Sequence, residues 1–152
     1  MNIICVLLAF AIGMAMNIQS GVNGQIRTIT ENPLFASTVN FSVGMIALLI
    51  MLYVTYKADI YKIPSRNLLI RETRWWMYTG GHLGLIYVMA GILLPPLIGY
   101  GAFFSTLVTG QLIFSAVIDH NGWFGNTVTK IDPRRALGII LLIAGAVIIQ
   151  SF

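Results

Sequence analysis

The chain has 152 residues, 57% of them hydrophobic and only 9% charged, against roughly 25% charged in an ordinary soluble domain. That composition excludes a water-soluble globular fold. The excess of nine Lys+Arg over five Asp+Glu falls between apolar runs, so it reports membrane orientation and not nucleic-acid binding.

A hydrocarbon core about 30 Å thick takes about 20 apolar residues in helical form. Five stretches reach or approach that length: 3 to 22, 34 to 56, 75 to 94, 97 to 118 and 136 to 152. The expected fold is all-α and integral to the membrane. It is a five-transmembrane-helix bundle in a single membrane domain over 1–152, with helices at approximately 3–27, 34–56, 72–94, 97–119 and 133–152.

No basic residue precedes the first apolar run, so a retained helix is expected there and not a cleavable signal peptide. Its far end is polar, with Asn17, Gln19, Asn23 and Arg27. At about 1.5 Å per residue, Asn17 and Gln19 lie about 21 to 24 Å from residue 3, inside the core, whereas Arg27 lies about 36 Å away, at the interface. Arg27 is therefore a candidate gate or interfacial anchor.

Asn32 and Pro33 supply a cap and a first-turn proline for the second helix. Asn40, counted from residue 34, falls about 9 Å from the same boundary that Asn17 and Gln19 approach, so the three can share one level with Ser37 nearby. The loop from 57 to 74 carries Lys57, Lys62, Arg66, Arg71 and Arg74 and leads into Trp75 and Trp76, an interfacial anchor. It reads as a positive-inside loop, with an anionic-lipid site as the sharper alternative.

His82 in the third span and Gln111 in the fourth fall about 10 Å and 9 Å from the opposite boundary, so they can meet at a second level. Pro95 and Pro96 interrupt an apolar run too long for one span and mark a tight turn. Gln111, Ser115 and Asp119 follow at i, i+4, i+8 and form one polar edge. Asp119 sits at a helix C-terminus, where the macrodipole disfavours negative charge, so a cationic partner is expected among His120, Lys130, Arg134 and Arg135. Asp132 and Pro133 start the fifth helix as Asn32 and Pro33 start the second.

Small residues Gly13 and Gly21, and the pair Gly80 and Gly84, are placed to let helices touch. The amides and hydroxyls either hold helices together or, as a set at two levels, line a substrate pathway of Asn17, Gln19, Asn23, Asn40, His82, Gln111 and Ser115. His82 is either a proton-coupling group or a neutral partner of Gln111.

No enzyme is expected. Asp119 and His120 are adjacent but make no triad, and neither Cys5 nor any serine has an evident activating base. One cysteine excludes an internal disulfide, and no Cys/His spacing suggests a metal centre, so no metal and no cofactor are expected.

The succession Gln19-Ser20, Asn23-Gly24, Arg27, Phe41, Gly44, Gly80-Gly81, Gly84, Gly110-Gln111-Leu112, Ser115 and Asp119-His120-Asn121-Gly122 resembles the short YdcZ-type branch of the drug/metabolite transporter superfamily. Its most specific pieces are QSGVNGQIR and GQLIFSAVIDHNG, and the likeness runs from about residue 10 to the end. The resemblance implies half of an inverted-repeat transporter: a dimer subunit in the bacterial cytoplasmic (inner) membrane, moving a small organic solute by alternating access at the dimer interface. The small multidrug transporters of that superfamily rely on a glutamate deep in the first helix. Here the first acid is Glu31, beyond the span, so a small neutral or zwitterionic solute is expected instead of a proton-exchanged cation. A non-transporting membrane protein that binds or stabilises a partner is the rival reading.

If the amino terminus is inside, Lys57, Lys62, Arg66, Arg71, Arg74, Lys130, Arg134 and Arg135 are inside and only Arg27 is outside. That bias predicts a fixed orientation with the C-terminus outside. An antiparallel dimer would then need an oppositely oriented paralogue as partner.

Overall fold

A computed structural model describes residues 3–125 and 127–151. It is all-helical among those residues, with five helical stretches long and apolar enough to cross a membrane: Ile3–Thr30, Pro33–Lys57, Trp75–Ile98, Tyr100–Asn121 and Pro133–Gln150. The helices group into two compact units, one up to Leu93 and the other from Leu94 onward.

In the first unit, α1 (Ile3–Thr30) and α2 (Pro33–Lys57) are joined by a two-residue turn. Glu31 takes a left-handed φ of 52°, which stops α1. The side chain of Asn32 then accepts hydrogen bonds from Leu34 N at 3.0 Å and Phe35 N at 3.1 Å, and Pro33 occupies the first turn. This is the start expected from the sequence, because Asn satisfies two amides that an α-helix leaves unpaired and proline has none to lose. α1 runs three residues past the expected end at 27. Thr28 and Thr30 return their hydroxyls to Gly24 O and Ile26 O, so its polar end is internally satisfied.

The loop after α2 contains a helix that the apolar pattern did not announce, α3 (Arg66–Glu72), capped by Ser65 through Leu68 N at 3.3 Å. The third span also begins differently from the expected 72. Thr73 and Arg74 are extended, Trp75–Thr79 forms a 3-10 turn, and α4 occupies Gly80–Leu93. Trp75 is 81% exposed, as suits an interfacial side chain. α4 packs on α1 and α2. The contact is lined by Ala36 and Ile92, both fully buried, together with Ser20, Asn23 and Ser37.

In the second unit, α5 (Pro95–Ile98) is a single turn, Gly99 at φ 86° redirects the chain, and α6 (Tyr100–Asn121) follows. Gly122 at φ 64° closes α6 with its N–H on Ile118 O. The fourth helix, expected over 97–119, is thus divided at Gly99, where a left-handed φ favours glycine. α7 (Pro133–Gln150) starts on Asp132, whose carboxylate accepts from Arg135 N at 2.7 Å. α6 and α7 meet through small residues, with Ala116 and Ala146 buried. Gln150 donates to Thr106 Oγ1 at 2.8 Å.

Most long apolar side chains on the five spans face outward, including Leu7, Phe10, Leu48 and Leu141. In water that would forbid the fold. In a bilayer acyl chains cover such groups, and what must be buried is the polar minority.

Candidate functional site

The polar minority of the first unit gathers where the C-terminal half of α1 meets the start of α2 and the end of α4. Gln19 Nε2 donates to Asn40 Oδ1 at 2.8 Å, and Asn23 Nδ2 donates to the same oxygen at 3.2 Å. The shared level expected for Gln19 and Asn40 is therefore present. Asn23 joins it because it lies one turn beyond Gln19 on the same face. Asn23 is 5% exposed, while Gln19 is exposed and Asn40 half-buried, so the cluster has one dry edge and one open edge.

Asn17 does not join. Its side chain turns back to Gly13 O at 3.1 Å, an i−4 bond within its own helix. Asn17 is about 140° around the helix from the Gln19–Asn23 edge, and the carbonyl of its own helix is the nearer acceptor.

Ser37, buried on α2, donates to the sulfur of Met89 at 2.9 Å, and Tyr87 donates to the sulfur of Met16 at 3.7 Å. These methionines act as acceptors as well as filler.

Ser20, missing from the sequence-derived set, proves central, and Arg27, the candidate gate or anchor, finds its partner beside it. Ser20 donates to Gly91 O at 2.5 Å, and Arg27 Nη1 donates to Ile92 O at 3.4 Å. A Cβ placed on Gly91 would stand 3.3 Å from Ser20 Oγ, so α1 and α4 are in close contact at this glycine. The close approach had been expected at Gly13, Gly80 and Gly84. At those three a Cβ would meet nothing within 4 Å, so they are open positions within this chain. Gly21, half-buried beside Ser20, is the member of that set next to the real contact.

His82 lies exposed in the first unit beside Phe41, Tyr78, Gly81 and Leu85. Gln111 lies exposed in the second, along a shallow groove on α6 with Thr106, Gly110, Phe114 and Ser115. Each is thus a polar group at membrane depth on the surface of its own unit.

The polar edge of α6 ends as expected in an ion pair. Asp119 Oδ2 accepts from Arg135 Nη2 at 2.7 Å, both side chains being 32% exposed. Of the four cations considered, Arg135 is selected because the Asp132 cap fixes the first turn of α7 beside the end of α6. Asp119 O also accepts from Thr129 N at 2.8 Å, and His120 Nδ1 accepts from Ile131 N at 3.3 Å. The returning loop is tied to α6 at both residues. Asn121 bonds back to Val117 O at 2.8 Å and closes the helix ahead of Gly122.

The described residues include no group of three or more His, Cys, Asp or Glu able to hold a metal ion. Comparison with curated proteins and with solved structures gave no match. The family model described as "Putative inner membrane exporter, YdcZ" matches residues 4–148; the five apolar spans and the intramembrane amide cluster thus sit in a chain that belongs to that family of multi-pass inner membrane proteins.

Proposed function

We propose that the chain is a subunit of a secondary transporter that exports a small organic solute by alternating access at a dimer interface. The observation that carries this reading is the open edge of the amide cluster: Gln19, bonded to Asn40 yet exposed, lies within a span whose neighbours are apolar. Hydrocarbon cannot hydrate such a group, so the face requires a wet path or a second subunit. The exposed His82 and Gln111 make the same demand. Membership in an exporter family supports transport over catalysis.

In this reading Gln19, Asn23 and Asn40 supply hydrogen bonds to the solute, and His82, Gln111 and Ser115 contribute from the other level of the path. The donors and acceptors are amides, one hydroxyl and one imidazole with no acid among them, which suits a neutral or zwitterionic solute.

The test is flux in proteoliposomes loaded with a panel of neutral and zwitterionic metabolites, with and without an oppositely oriented paralogue. Gln19→Ala, His82→Ala and Gln111→Ala should each lower flux while leaving folding intact. Unchanged flux in all three would remove the pathway assignment. Absence of flux under every condition would leave the partner-stabilising reading in its place.

A further inference from the structure

An α-helix closes each turn with a bond from N–H of residue i to C=O of residue i−4, and proline has no N–H to give. Pro95 and Pro96 therefore withhold the two donors that would reach the carbonyls of Gly91 and Ile92. The backbone nevertheless stays helical through the junction, with Leu94 at φ −84° and ψ −40°. This is a conformation that a following proline disfavours. The chain thus holds a strained turn with two orphaned acceptors at membrane depth, where an unsatisfied carbonyl is costly.

The two carbonyls that lose their amides are the two that receive side chains from α1: Ser20 Oγ on Gly91 O and Arg27 Nη1 on Ile92 O. Ser20 and Arg27 lie seven residues apart, on one face of α1. The long arginine side chain reaches back toward the helix N-terminus, as side chains on a helix do, and so serves the carbonyl next to the one that Ser20 serves. Its positive charge also lies at the negative end of α4. Gly91 has no side chain, which lets Ser20 come this near.

We propose that Ser20 and Arg27 are a latch on a hinge at Leu94–Pro96. They replace the two amide donors that the proline pair lacks and pin the end of α4 on α1; releasing them frees the chain to bend at that turn. This assignment does not rest on the transport reading. It gives Arg27 a structural partner in place of a gate on the solute.

The test is a set of crossed substitutions, read by thermal unfolding in detergent and by backbone hydrogen exchange of the segment 90–99. Ser20→Ala and Arg27→Met should each lower the midpoint by about 3 °C and speed exchange of that segment by up to about tenfold. Ser20→Thr and Arg27→Lys, which keep a donor, should lose less. Pro95→Ala returns an amide to Gly91 O, and Pro96→Ala returns one to Ile92 O. The loss from Ser20→Ala should therefore largely vanish in the Pro95→Ala background but persist with Pro96→Ala, and Arg27→Met should show the converse. Equal losses in all backgrounds would overturn the latch. Where a proline variant fails to fold, exchange alone decides: acceleration confined to 90–99 in Ser20→Ala and Arg27→Met supports the latch, and unchanged exchange there overturns it.

Discussion

Asn40 carries two bonds on one oxygen, so its truncation is not equivalent to that of either donor. Asn40→Ala would strand the amide of Asn23, which is 5% exposed and has no water to turn to, together with that of Gln19. Leaving a buried donor unsatisfied costs about 1–3 kcal/mol. Losing one interhelical bond in a membrane protein costs about 0.6 kcal/mol, which is the expectation for Gln19→Ala. Denaturant titration in detergent should rank Asn40→Ala well below Gln19→Ala in stability. Equal losses would mean that Asn23 finds another partner. The ion pair Asp119–Arg135 calls for the opposite expectation, because both side chains are 32% exposed and solvent screens them. A double-mutant cycle with Asp119→Asn and Arg135→Gln should give a coupling of about 1 kcal/mol or less. A coupling of several kcal/mol would contradict the exposure of this pair and require something else to cover it.

Between elements, the decisive comparison is of two glycines. Ala is favoured over Gly by about 1 kcal/mol in a helix interior, so an open position should gain from the exchange and a crowded one should lose. Gly84 is open, and Gly84→Ala should leave the stability of the chain unchanged or slightly raised. At Gly91 the new Cβ would stand 3.3 Å from Ser20 Oγ, and Ser20 cannot retreat without lengthening its bond to Gly91 O, so Gly91→Ala should cost about 1 kcal/mol or more. Unfolding of both variants in detergent checks the contrast. If Gly84→Ala instead weakens self-association, its open face is where a second chain packs.

The same elements separate what could be read in the sequence from what could not. The five spans follow from apolar length, and the caps at Asn32 and Asp132 follow from side-chain chemistry next to a proline. The Gln19–Asn40 level follows from helical rise. None of these depends on knowing how helices pack. Asn17 shares that depth but not that face, and counting depth alone cannot separate the two. The G-x-x-x-G spacing of Gly80 and Gly84 marks a surface that can approach a helix without saying whether one is there. Gly91 carries no such spacing signal. A cue did exist in Pro95 and Pro96 four residues after Gly91 and Ile92, which leaves two carbonyls in need of donors; which donors supply them depends on the packing of α1 on α4. The helix α3 was missed because it is too short and too polar for an apolar-length criterion.

For the molecule as a whole, the distribution of charge constrains how copies can associate. If each of the five apolar spans crosses the membrane once, the segments 57–74 and 122–135 lie on the same side as the amino terminus and the turn after α1 on the other. Eight of the nine basic residues thus share one side, with Arg27 opposing them. Basic residues near span ends are retained in the cytoplasm, so this chain should insert with its amino terminus inside and its carboxyl terminus outside. A subunit of fixed orientation cannot form an antiparallel pair with itself. Expressed alone it should give either a monomer or a parallel dimer, and an inverted-repeat transporter would form only with an oppositely oriented paralogue. Tags at the two termini, probed for accessibility in intact cells, should show a single orientation. Neutralising Lys57, Lys62, Arg66, Arg71 and Arg74 to Gln leaves three inner charges against one, and a fraction of chains should then invert. Mixed orientation in the unaltered protein would sink the fixed-topology argument and, with it, the need for a second gene product. A single orientation, followed by flux only on co-expression with the paralogue, would identify the pair as the transporting unit.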